Sequence, residues 1–228
     1  MRTLISRLFC PLIFVCFGSQ VTMADGISVA DWYKRNDVLG FGTWQSLGIS
    51  KGVKRWRKKL PDQDVYAVKG QLEIQQPIEK VAGVIMDESR WAEWSQATKS
   101  AHMLSSEGGM KTVYQQFKMP PFIDDRHLIY TFGMSPVENG WVIIGRTMKQ
   151  YPVANKKGVE MRLYEGRWHL EAVHRGVTKV TFEALIDPQG NLPKWFVNFA
   201  QKNYAPKTLQ SLARQAGKAD VQALSLAQ

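Results

Sequence analysis

Two carboxylates and a guanidinium stand side by side at Asp124-Asp125-Arg126, the densest chemistry in a chain of 228 residues. A guanidinium binds phosphate bidentately. Arg126, with Asp125 beside it and Lys118 a few residues earlier, is therefore a candidate contact for a phosphate group. The competing reading is a structural pair that fixes a strand start; once buried, such a pair is costly unless fully satisfied. The four histidines, His102, His127, His169 and His174, do not combine at metal-ligand spacing. His169 and His174 are closest, with a turn expected between them. Phosphate-binding glycine loops, G-x-S-x-G and H-E-x-x-H are all absent from the sequence. No catalytic residue, metal site or cofactor is assigned. If the chain were an enzyme, Asp125 or His169 would have to serve as acid or base, and no convergent constellation surrounds them.

The elements that position these residues are organised around 187–215. Asp187-Pro188-Gln189-Gly190 reads as a turn, with Asp187 or Asn191 able to cap the next helix and Pro193 suited to its first turn. Leu192, Trp195, Phe196, Phe199 and Ala200 then recur at helical spacing, continued by Leu209, Leu212, Ala213 and Ala216. The spacing predicts an amphipathic helix of about 25 residues, roughly 37 Å long, with Pro206 kinking or restarting it.

Everything before that helix reads mainly as sheet. A short element lies within Gln45 to Lys59, and a strand runs from Val65 to Gln75 with Tyr66, Val68, Leu72 and Ile74 on one side. Pro77 opens a helix with Ile78, Val81, Ala82 and Ile85 as its buried stripe, and Trp91 and Trp94 plug one end of the core. Strands come next at His102–Ser105, Lys111–Lys118, Arg126–Met134, Trp141–Gln150, Val159–Val173 and Val177–Ile186. The apolar parity of Val159–Val173 flips, which calls for a bulge near Glu165-Gly166. His169 shares its parity with Glu165, Arg167 and Glu171, so these four form either a solvated convex face or a polar wall inside the fold. Short turns between successive strands imply an antiparallel sheet. The fold class is α+β: a helix-grip arrangement, a curved antiparallel sheet around a long C-terminal helix, with room for an internal apolar tunnel.

The first 24 residues are set apart from this fold. Arg2 and Arg7 precede the apolar run Leu8–Phe17, and Thr22-Met23-Ala24 offers a cleavage site, the pattern of a signal peptide. Both cysteines, Cys10 and Cys16, fall inside it. Without Arg2 and Arg7 the chain keeps 28 basic and 20 acidic side chains, net +8. That excess suits an anionic membrane surface or solubility alone. The densest basic run, Lys51 to Lys59, is a solvated face or a membrane-docking patch. It has no nucleic-acid module around it. Residues 25–43 read as an N-terminal extension in which Val29, Trp32 and Tyr33 suit a short helix.

Four stretches together resemble the START lipid-binding domain of the helix-grip (Bet v 1-like) group. They are Gly52-Val53-Lys54-Arg55-Trp56-Arg57 with Val68-Lys69-Gly70; Pro77 to Asp87 with Arg90-Trp91 to Trp94; Met119-Pro120-Pro121-Phe122-Ile123-Asp124-Asp125-Arg126; and Asp187 to Asn198. The last is matched in spacing throughout; in the third, His127 replaces the final acid of the family's pattern. The resemblance covers about Trp44 to Ala216. It implies a domain at 44–217 and a C-terminal tail at 218–228. It also implies a tunnel that takes one phospholipid, sterol or ceramide-like molecule, and a last helix acting as lid. The ligand contacts expected on it are Asp125, Arg126, Trp91, Trp94, Tyr114, His169, Trp195, Phe196 and Phe199. A monomer that carries lipid between membranes is expected, periplasmic or secreted given the leader. A cyclase- or hydrolase-type enzyme on the same scaffold and a lipid sensor docking on a partner protein are the alternatives.

Overall fold

A computed structural model describes residues 37–61, 63–95, 97–147 and 156–225. The leader and the expected helix around Val29, Trp32 and Tyr33 lie outside the described residues. A 3-10 turn at Val38–Gly40 leads into β1 (Gln45–Ser50), β2 (Val53–Lys59) and β3 (Tyr66–Ile74). Then come α1 (Ile78–Met86), a 3-10 turn (Glu88–Arg90) and α2 (Trp91–Trp94). The strands β4 (Thr98–Glu107), β5 (Met110–Phe117), β6 (Arg126–Val137), β7 (Gly140–Thr147), β8 (Val159–Glu160), β9 (Arg162–His174) and β10 (Val177–Asp187) succeed them, and α3 (Lys194–Ala216) closes the series.

One curved sheet holds every strand, in the order β1-β2-β3-β10-β9-β7-β6-β5-β4. All neighbours along that path are antiparallel; among the described residues β8 alone pairs parallel, with β6. The main core is one face of this sheet under α1, α2 and α3. It joins Val53, Val68, Val113, Phe132, Ile143, Leu170 and Val180 to Val81, Trp91, Leu209 and Leu212. This is the helix-grip architecture expected from the sequence.

Several details differ from expectation. The single short element at Gln45 to Lys59 is a two-stranded hairpin: Ser50 faces Val53 across Lys51 and Gly52, both at positive φ. Positive φ at both loop residues is the twist that tight hairpins favour. The long strand at Val159–Val173 divides into β8 and β9, because its first two residues pair with β6. The bulge falls at Tyr164, one residue before the expected pair: Leu185 faces Glu165 but Ile186 faces Leu163. That extra residue explains the parity flip. The end of α3 near Pro193 has no side-chain cap, since Asp187 is already used: its carboxylate accepts the Gln189 N–H at 2.9 Å. Pro77 likewise sits at the cap of α1, just outside it. The helix runs through Pro206 as one element of 23 residues. Its neighbours Ala205 and Leu209 are buried on the sheet, and that packing outweighs the hydrogen bond a proline removes.

The tail at 218–225 is docked. Asp220 accepts from Arg90, which also binds Glu93 at 2.7 Å; Val221 is in the core, and the Leu224 N–H reaches Glu79 O at 2.9 Å. The helix itself sits on β3 at Gly70. A Cβ there would stand 2.8 Å from Leu209 Cδ1 and 3.1 Å from Ala205 Cβ. Urea unfolding should show Gly70→Val costing roughly 1–3 kcal/mol by overpacking and Leu209→Ala about 2–5 kcal/mol by cavity formation. Wild-type stability in both variants would contradict this seating of α3.

Candidate functional site: a cavity under the last helix

Between the sheet and α3 lies a cavity of about 100 Å³. Its walls come from alternating inward residues: Phe117 and Gln115 of β5, Leu128, Tyr130 and Phe132 of β6, Trp168 of β9, and Phe182 and Ala184 of β10. Trp91 and Trp94 close one side, three residues apart on a single helical turn. The Trp91 indole donates to Ile85 O at 3.0 Å and its ring stacks on Tyr130 at 6.2 Å. From α3 come Tyr204 and Thr208, one turn apart. None of the described lining residues is charged. Burial pushes the Tyr130 phenol well above its ordinary pKa and that of Tyr204 up to about 12, so both stay protonated at physiological pH.

Polar groups are few. The Tyr130 hydroxyl donates to Gln115 Oε1 at 3.0 Å, the Gln115 amide donates to Thr98 Oγ1 at 2.7 Å, and that hydroxyl donates to Ser95 Oγ at 2.7 Å. This relay runs along one wall. The sequence reading missed Gln115, Tyr130, Trp168 and Tyr204. For the first three the signal was there, because each shares strand parity with apolar neighbours that face inward.

The expected contacts divide. Trp91 and Trp94 line the cavity. Asp125 and Arg126 are not among the lining residues, and they do not pair with each other. The Asp125 carboxylate binds Lys99 at 2.9 Å and the Met119 N–H at 3.1 Å; those two donors hold its pKa below the usual carboxylate range. It thereby ties the loop between β5 and β6 to β4. Arg126 is 3% exposed and donates to backbone carbonyls: Asp124, Pro188 at 3.5 Å and Gln189 at 3.4 Å. It pins the turn that leads into α3.

Tyr114 points to the outer face. It stacks on His127 at 5.4 Å, and its hydroxyl accepts the Lys157 N–H at 3.2 Å. His169 is on the outer face too, its pKa lowered chiefly by burial and then by the Arg167 charge. That face is covered here, not solvated. Glu165 has no exposure because residues 37–44 close over it. The Val38 N–H reaches Glu165 at 3.3 Å, and Asp37 binds Arg167 at 2.6 Å. Arg146–Glu165 at 2.9 Å and Lys69–Glu183 at 2.7 Å extend the network. Trp44 lies under both Lys58 and Lys69, at 4.4 and 4.3 Å. Lys58, expected in a surface basic run, is buried and donates to Leu39 O.

The aromatic face of α3 is the largest correction. Trp195 is 69% and Phe199 55% exposed; neither they nor Phe196, which is half-buried, lines the cavity. Within the first half Val197 packs on the small cluster around Leu60 and Leu185, and full burial on the sheet begins at Ala205. Phe122, at the tip of the β5–β6 loop with φ 71°, is fully exposed. Both exposed groups lie at the end of the sheet where Phe117 and Ile186 bring the cavity wall to its last residues. Among the described residues, no cluster of His, Cys, Asp and Glu could hold a metal ion.

The chain belongs to the START domain family, whose model matches residues 39–220. It is 24% identical over 178 residues to an uncharacterized protein of Pseudomonas aeruginosa, covering 77% of this chain and 87% of that one. Human phosphatidylcholine transfer protein is 26% identical over 183 residues, covering 77% and 85%. Among solved structures, human STARD10 superposes with a TM-score of 0.72 at 20% identity, over 85% of this chain and 81% of that one. An aromatase/cyclase from Streptomyces shares the fold more loosely, with a TM-score of 0.50 at 15% identity, over 66% and 92%.

Replacing Arg126 by Met leaves three carbonyls without their shared donor, at about 1–3 kcal/mol for unsatisfied buried groups. Limited proteolysis should then cut within 187–203 at least several-fold faster than in wild type. An unchanged rate would mean that Arg126 does not hold this turn.

Proposed function

We propose that this protein binds the apolar part of one lipid molecule between the sheet and α3 and carries it between membranes, with the first half of α3 as lid. The observation that supports this best is the contrast along α3. Its second half is buried on the sheet over a wholly uncharged cavity, while its first turns hold Trp195 and Phe199 out in solvent. Exposed aromatic groups beside an apolar cavity are suited to inserting at a membrane interface. Burying an acyl chain or sterol skeleton gains about 25 cal/mol per Å². At about 100 Å³ the cavity is smaller than the roughly 300–1,000 Å³ of drug-sized ligand pockets, so uptake requires α3 to move outward. The turn at Gln189-Gly190, with both residues at positive φ, is the natural hinge, and Arg126 is its latch.

The net positive charge suits docking on anionic lipid. Of the run from Lys51 to Lys59, the exposed Lys51, Lys54 and Lys59 are the side chains available for this. Export as a periplasmic or secreted monomer is the reading that the leader at 1–24 supports. An acid–base reaction on this scaffold would have to run on Tyr130 or Tyr204, the titratable groups among the described lining residues. That leaves an enzyme reading with little to work on. A sensor would hold lipid without transferring it.

Transfer of a fluorescent phospholipid between anionic vesicles tests the proposal. Wild type should accelerate it. Trp195→Asp and Phe199→Asp should each lower the rate roughly ten-fold by opposing interfacial insertion, with melting temperature unchanged because both residues are exposed. Wild-type transfer by both variants would contradict the role given to α3.

A further inference from the structure

A second cavity, of about 330 Å³, shares only Trp94 with the first among the described lining residues. It is bounded by the last turn of α1, by α2, by Lys111 of β5, by Gln215 near the end of α3 and by residues 221–225 of the docked tail. Its volume falls within the roughly 300–1,000 Å³ of small-molecule pockets.

Two buried polar atoms on its lining residues have no partner among the described residues. Gln215 is 2% exposed, and its amide N–H donates to Glu93 Oε2 at 2.9 Å. Arg90 and then Gln215 hold the Glu93 carboxyl down at about 2, so Glu93 is ionised and can only accept. The Gln215 amide is thereby fixed in orientation, and its Oε1 is left without a donor. The same bond ties Gln215 to α2 at the residue before Trp94. Trp94 is 9% exposed, and its indole N–H has no acceptor. Buried groups of this kind are nearly always paired in folded proteins, and leaving them unpaired is costly. A molecule that brings an N–H and a carbonyl oxygen satisfies both.

Charge narrows the class. Arg90 and Lys111 line the cavity, but Arg90 is held by Glu93 at 2.7 Å and Asp220 at 2.6 Å, and Lys111 by Glu88 at 2.7 Å. Asp87 lines it as well, at the C-terminal end of α1. An anion would meet Asp87 and cations already paired; a cation would meet Arg90 and Lys111. An uncharged group avoids both costs.

We propose that the cavity between α1, α2 and the C-terminal tail is a second binding site, for a small uncharged molecule of the carboxamide or urea class. Gln215 Oε1 accepts from its N–H, and the Trp94 indole donates to its carbonyl. The site is separate from the cavity under α3 and does not rest on the lipid reading.

The test is nuclear magnetic resonance of the full chain, titrated with four probes built on one ring: benzamide, acetophenone, benzoate and benzylamine. The Trp94 indole N–H signal, assigned with Trp94→Phe, should shift on adding benzamide, which should bind at least five-fold tighter than the other three. Gln215→Met should weaken benzamide at least five-fold and leave acetophenone unchanged, since acetophenone has no proton to give. Ala223→Trp, at an exposed tail position on the cavity wall, should abolish the shift by filling the space while keeping the wild-type melting temperature. No shift with benzamide overturns the site, as does a shift that survives in both variants. Equal or tighter binding of benzoate, benzylamine or acetophenone overturns the ligand class.

Discussion

The close approach of α3 to β3 at Gly70 is the constraint on which the rest depends. Hydrogen in place of a side chain lets Leu209 and Ala205 settle directly on the strand. Leu212 and Ala216 continue the contact along the same helix face. That seat fixes the second half of α3, sets Tyr204 and Thr208 over the cavity, and leaves Trp195 and Phe199 of the first half in solvent. The depth of the cavity is then set by side chains: Trp91 and Trp94 close one side, and Trp168 and Phe182, 4.3 Å apart, form the opposite wall.

The polar groups serve this design from outside the cavity. Asp125 fastens the β5–β6 loop to Lys99, and Arg126 holds the carbonyls of the turn before α3. The adjacent residues Asp125 and Arg126 thus act on the two loops that flank the first half of α3. Backbone carbonyls are neutral partners for a buried guanidinium, and burial accordingly lowers the Arg126 pKa. These bonds hold the turn before α3 without a carboxylate partner. On the other face of the sheet, residues 37–44 seal a charge network around Glu165, which stiffens the strands that carry the cavity wall.

Much of this was legible in the sequence. Period-two alternation in β3 and β10 and the helical spacing in α1 and the second half of α3 report burial directly, and the matched spacing from Asp187 to Asn198 pointed to the family. The parity flip in β9 correctly required a bulge. What was not legible depends on distant parts of the chain. Trp195 and Phe199 have the same helical spacing whether they meet a core or a membrane, and only the seat at Gly70 shows that they overhang it. Lys58 read as part of a solvated or membrane-facing run, and Glu165 and Arg167 as a solvated face or an inner polar wall, because nothing local reveals that residues 37–44 fold over them. Asp125 and Arg126 stood next to each other and suggested a pair, whereas Asp125 ends the β5–β6 loop on Lys99 and Met119 and Arg126 opens β6 against the turn before α3. The hairpin at Lys51-Gly52 was not read, although Leu47 and Ile49 alternate, because β1 is a short edge strand that stays largely exposed.

The central claim is that the space under α3 holds a lipid. Native mass spectrometry of the protein purified from a membrane-containing host, without detergent, tests it most directly. The account predicts a complex of one chain with one lipid that organic extraction removes and exposure to vesicles restores. A mass equal to the bare chain, both as purified and after incubation with vesicles, would contradict it.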